Sequence, residues 1–116
     1  MGAMAVRTRR VYDEPADDDG FRVLVDRLWP RGLTKDRARV DLWLKDVAPT
    51  TELRRAFHHD DLPFDAFASR YRAELTENPA VEALRQVIGQ HDVVTLLYAA
   101  TDPEQNHATI LRSLLT

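Results

Sequence analysis

Apolar and polar positions change period several times along the chain, and each change marks an element. Val6–Tyr12 is a short β-compatible run that gives way to the acidic loop Asp13–Gly20. Phe21–Asp26 reads as a buried strand, because Val23, Leu24 and Val25 are contiguous rather than alternating. The pattern breaks at Arg27-Leu28-Trp29-Pro30-Arg31-Gly32, where Pro30 and Gly32 oppose regular structure. Thr34–Arg39 has room for one helical turn. Val40, Leu42 and Leu44 then alternate with Asp41, Trp43 and Lys45, a period of two that predicts a half-buried strand, stopped by Ala48-Pro49.

The second half of the chain is mostly helical in its spacing. Thr50 or Thr51 can N-cap a short helix that holds Leu53 and Phe57. In Phe64–Leu75 the apolar positions 64, 67, 68, 71 and 75 form one helical face, with Pro63 at its entry. Asn78-Pro79 repeats the start signal, and positions 80, 81, 84, 87 and 88 make the next stripe, closed by Gly89. Asp92–Ala100 is largely apolar and predicts a central strand. Asp102-Pro103-Glu104-Gln105 has the form of an N-cap, a proline at the first helical position and a capping-box Gln. The helix it would open buries Ala108, Leu111, Leu114 and Leu115.

Strands separated by helical segments predict an α/β fold, a small single-domain sandwich with a mostly parallel central sheet flanked by helices. One domain over residues 5–116 accounts for the chain, which shows no repeat, low-complexity tract or long linker. Met1-Gly2-Ala3 before a second Met reads as an expression scar.

Composition narrows the chemistry. The 116 residues are 44% hydrophobic and 30% charged, too apolar for global disorder. With no cysteine, disulfides, thiolate nucleophiles and Cys-ligated metal are excluded. No apolar run of membrane-spanning length appears, so no membrane partner is expected and the chain reads as cytoplasmic. Formal net charge is −3, which argues against wholesale coating of DNA. Charge is uneven, however: Arg22–Arg55 carries nine basic and five acidic residues. Fourteen of the 16 cations are Arg, which suits bidentate contacts to carboxylate or phosphate, although a general preference for Arg over Lys explains the same count.

Two predicted strands end in abrupt polar clusters. One is Asp26-Arg27-x-Trp29-Pro30-Arg31-Gly32, and the other runs from Tyr98 through Asp102 to Asn106-His107. In open α/β sheets ligands bind beyond the carboxyl ends of the strands. If the two strands are parallel neighbours, both clusters meet at one edge. The last helix would aim its positive end there, and Arg27 and Arg31 would add fixed cations, so an anion is the natural guest. Each residue also has a plainer explanation. Asp102 can be a plain N-cap, the Asp26–Arg27 pair a structural tie, Trp29-Pro30 a plug under the loop, and Asn106 and His107 polar residues of a helix face. His58-His59-Asp60-Asp61 contains metal-ligand types, but adjacent residues rarely converge on one ion, so no metal is expected. No dinucleotide, P-loop or nucleophile-elbow motif is present.

At these residues the chain resembles a known family. Arg22-Val23-Leu24-Val25-Asp26-Arg27-Leu28-Trp29-Pro30-Arg31-Gly32 is similar to the signature of the YeaO-like family, a bacterial domain of unknown function. Asp41-Leu42-Trp43-Leu44-Lys45, Ala48-Pro49-Thr50-Thr51-Glu52-Leu53-Arg54, Leu96-Leu97-Tyr98 and Asn106-His107-Ala108 look like further blocks of it. The likeness runs from about Arg9 to Leu115. One departure is Thr101, which stands where the resemblance implies Lys or Arg and so removes a cation. Related longer chains carry Cys-His where this one has Asn106-His107, which implies a reactive position now without its thiol. A fainter likeness joins Asp26-Arg27 and the loop after Tyr98 to rhodanese-type domains, but without cysteine no persulfide forms.

These readings converge on an anion-accepting cleft built by Asp26, Arg27, Trp29, Arg31, Tyr98, Asp102 and Asn106, for a small phosphorylated or carboxylated molecule. If the protein is an enzyme, His107 is the acid–base group. No cofactor is implied. The rival is a non-catalytic module that binds nucleic acid or protein through the Arg-rich 22–55 face, and a third reading is a metabolite sensor.

Overall fold

Contiguous apolar strands need cover on both faces, and the fold provides it. The computed structural model describes residues 5–116, so Met1-Gly2-Ala3, read above as an expression scar, lies outside the described residues. Four strands, β1 (Ala5–Arg10), β2 (Phe21–Leu24), β3 (Leu42–Trp43) and β4 (Val93–Tyr98), form one sheet in the order β1-β4-β2-β3. Every pairing is parallel. Alternate residues of β4 therefore serve two cores. Val94, Leu96 and Tyr98 join Val23 and Val25 in the larger one, whereas Leu97 joins Val11, Leu24 and Ala38 in the smaller.

Five helices supply the cover: α1 (Lys35–Ala38), α2 (Thr51–His59), α3 (Phe64–Thr76), α4 (Ala80–Gly89) and α5 (His107–Leu115). The larger core takes Leu53 from α2, Phe67, Tyr71 and Leu75 from α3, Val81, Leu84 and Ile88 from α4, and Ala108, Ile110 and Leu111 from α5. The apolar stripes predicted for α3 and α4 are thus the buried ones. In α5 the stripe is rotated: Ile110 is buried and Leu114 is exposed. The smaller core is closed by α1 with Trp29, Leu33 and Val40 from the loops around it.

Local chemistry sets the boundaries. Thr50 caps α2, its Oγ1 accepting from the Leu53 N–H at 3.3 Å. The same residue is held by Glu74 of α3, which accepts from the Thr50 N–H at 3.0 Å and from its hydroxyl at 2.6 Å. Tyr71 buries its ring and donates its hydroxyl to the Val47 carbonyl at 2.6 Å; burial raises its pKa well above the ordinary value, with the Glu74 charge adding to the effect. Gly20 has φ +66°, and a Cβ there would lie 2.2 Å from the Val93 carbonyl oxygen, so only glycine lets β2 start this close to β4.

Arg22, the first cation of the Arg-rich segment, is structural. Buried in the sheet, it pairs with the Asp19 carboxylate and donates to the Ala38 and Arg39 carbonyls at 2.9 and 3.1 Å. It thereby ties the end of α1 to β2.

Two boundaries differ from the sequence pattern. The alternating run 40–44 yields a strand of only two residues, because Arg39 takes a left-handed turn (φ +48°) and Leu44 leads into a 3-10 turn over Lys45–Val47. The last helix starts at His107, not after Asp102. Asn106 is its cap, accepting from the Thr109 N–H at 3.1 Å. Asp102 instead closes a tight turn, its Oδ1 accepting from the Glu104 and Gln105 N–H groups at 2.9 and 3.1 Å.

Candidate functional site

All four strands run the same way, so their carboxyl ends share one edge, and there the two polar clusters meet. A cleft of about 530 Å³ opens at that edge. Asp26, Arg27, Trp29, Arg31, Asn106 and His107 line it. Tyr98 and Asp102 do not. Tyr98 points into the larger core, where burial and the Asp13 charge raise its pKa. Asp102 is exposed, and the two backbone N–H groups of its turn lower its pKa.

The loop after β2 is fixed by three hydrogen bonds to carbonyls. Trp43 Nε1–H donates to Asp26 O at 2.8 Å, Trp29 Nε1–H to Leu33 O at 2.7 Å, and the Tyr12 hydroxyl to Arg31 O at 2.9 Å. Trp29 therefore also serves as the plug under its loop.

Asp26 joins three elements. Its Oδ2 accepts from the Ala99 N–H at 3.0 Å, and its Oδ1 lies 3.0 Å from His107 Nε2. The same Nε2 is 3.0 Å from the Val25 carbonyl. A carbonyl only accepts, so Nε2 carries the proton, and in the neutral ring Nδ1 is left as acceptor. That proton is aligned on Val25, leaving buried Oδ1 beside Nε2 without an aligned hydrogen bond.

Arg27 does not pair with Asp26. It is half-buried and turns the other way, donating from Nη2 to Ala48 O at 3.1 Å and from Nε to Pro49 O at 3.4 Å. Both acceptors are neutral. Among the described residues no carboxylate stands at ion-pair distance from this guanidinium.

Sequence reasoning missed the wall supplied by α2. Arg54, Phe57, His58 and His59 all line the cleft. Arg54 and His58 are four residues apart, hence on one helical face, and that spacing was the available signal. His58 has its pKa lowered below 6.5 by burial and then by Arg54, His59 and His107, with Asp26 opposing. The cleft thus gathers cationic groups, and among the described residues Asp26 is the one acidic residue lining it. Among the described residues no three His, Asp or Glu side chains come together as a metal site would need.

Fold and site define a small parallel α/β domain, covered on both faces, with a basic cleft at the carboxyl edge of its sheet. The chain belongs to the YeaO-like DUF488 family, matching the family described as the inactive DUF488-N3 subclade over residues 5–116. An uncharacterised protein of Mycobacterium tuberculosis strain H37Rv is 49% identical over 110 residues, 95% of this chain and 92% of that one. One from Mycobacterium bovis matches to the same extent, 49% over 110 residues, with the same 95% and 92% coverage. The uncharacterised protein YeaO of Escherichia coli K12 is 41% identical over 112 residues, 97% of each chain. No solved structure matches.

Proposed function

We propose that the protein is a non-catalytic receptor for a small phosphorylated or carboxylated molecule, with Arg27 as the anchoring cation. One observation carries this reading: a half-buried guanidinium, fixed by two backbone carbonyls in a cleft, without a counter-charge among the described residues. A cation partly screened from water and lacking a charged partner attracts an anion more strongly than a fully solvated one, and an anionic guest supplies that partner. Arg31 and Arg54 line the same cleft and add to its attraction for an anion.

Two points support binding over catalysis. The matched family is described as inactive. His107, the acid–base candidate, has its Nε2 proton directed at Val25 O, which ties the start of α5 to the end of β2 and leaves only Nδ1 for proton exchange. The proposal includes a bacterial cytoplasmic setting; no helix among the described residues is long and apolar enough to cross a membrane.

The test is a thermal-shift screen of phosphorylated and carboxylated metabolites. A ligand at 100 times its Kd stabilises by about 2.7 kcal/mol. That gain disappears in Arg27→Met if the reading holds. Stabilisation only by oligonucleotides, falling steeply with salt, would favour the Arg-rich 22–55 surface instead. That surface has already lost Arg22 to the core.

A further inference from the structure

An anion alone would not account for the other wall of the cleft. Four large apolar side chains stand exposed among the described residues: Tyr12, Leu28, Trp43 and Leu114. Single exposed apolar residues are ordinary, but three of these four cluster at the loop that presents Arg27. Tyr12 and Leu28, 41% and 62% exposed, both line the cleft. Trp43 packs edge-on against the cleft residue Trp29, with ring centroids 5.6 Å apart. Phe57 also lines the cleft and stacks on Phe67 at 4.4 Å. A volume near 530 Å³ lies within the range of about 300–1,000 Å³ usual for small-molecule sites, and well beyond what a bare phosphate fills.

We infer that the ligand is an aromatic or similarly flat apolar molecule bearing one phosphate or carboxylate group. This rests on the anion-accepting reading above and extends it to the body of the ligand. The anionic group meets Arg27, and the apolar body covers Leu28, Tyr12 and Phe57. Burying those side chains under a rigid ring removes apolar surface from water on both partners at little cost in rotamer freedom. Charge and apolar surface together select against free phosphate and against uncharged aromatics.

Calorimetric titration with inorganic phosphate, 1-naphthyl phosphate and 1-naphthol tests this, using the wild-type chain, Leu28→Ser and Arg27→Met. Leu28 is exposed, so its replacement leaves the fold in place. The expected result is 1-naphthyl phosphate binding at least about tenfold tighter than inorganic phosphate, equivalent to about 1.4 kcal/mol. Leu28→Ser reduces that advantage several-fold, and Arg27→Met weakens the binding of both phosphates. Equal affinities for the two phosphates would overturn the aromatic ligand class while leaving the anion site standing. Naphthol binding as tightly as naphthyl phosphate, unchanged in Arg27→Met, would overturn both readings, as would no binding of any probe.

Discussion

Asp26 is the joint on which the cleft depends, and removing its carboxylate has a calculable effect. In Asp26→Ala the Ala99 N–H loses its acceptor at 3.0 Å and His107 Nε2 loses its neighbouring charge, keeping only the Val25 carbonyl. A hydrogen bond to a charged group is worth about 1.5–3 kcal/mol, and an orphaned donor costs on the order of 1–3 kcal/mol. These two figures overlap, so the expected loss is about 2–4 kcal/mol. Asp26→Asn is milder. Its carbonyl oxygen still serves Ala99, but its amide then faces Nε2–H, donor against donor, at a cost of about 1–2 kcal/mol. For a domain of this size each kcal/mol lowers Tm by roughly 4 °C. Urea unfolding with a two-state fit, checked by thermal scans, ranks the variants as wild type, Asn, then Ala. An Asp26→Ala chain within about 0.5 kcal/mol of wild type, the ordinary scatter of surface substitutions, would refute the coupling of β2, β4 and α5 through this side chain.

Tyr71→Phe keeps the buried ring but strips the Val47 carbonyl of its donor, and a loss of about 1–3 kcal/mol in urea unfolding is expected. Asn106→Ala removes the cap on the Thr109 N–H and lowers stability by about 0.5–2 kcal/mol, with Asn106→Asp retaining most of it in thermal scans. His58 binds its proton less readily in the folded chain than in the unfolded one, where 6.5 applies. Its contribution to stability is therefore intact above pH 6.5 and is lost as pH falls through the lowered native value. Urea midpoints measured across that window should fall less steeply in His58→Gln.

The parts of the fold written in local chemistry were legible. Contiguous Val23–Val25 and the apolar run around Leu96 announced strands buried on both faces, and Thr50 announced the cap of α2. The start of α5 was not, because Asp102 and Asn106 each offer a side-chain oxygen to N–H groups downstream. Asn106 further donates its amide to the Asp102 carbonyl at 2.8 Å, folding the intervening residues into a turn before the helix begins. Such a choice between nested caps is settled by where the chain must arrive, beside Asp26, rather than by propensity. The meeting of the Asp26 loop with Asn106-His107 followed from parallel strands. The direction of Arg27 did not, since its acceptors lie at Ala48 and Pro49, brought near only by the folding of the segment that leads into α2.

The proposed role of Arg27 as the anchor for an anion is reported on most directly by its own resonance. In uniformly 15N-labelled protein the side-chain Nε–H signals of Arg27 and Arg22 are followed as phosphate is added at constant ionic strength. The account predicts a saturable shift of Arg27, shared by the backbone amides of Leu28 and His107, while Arg22, enclosed with Asp19, stays still. Saturable shifts confined to exposed arginines such as Arg37 and Arg55, with Arg27 unmoved, would contradict it.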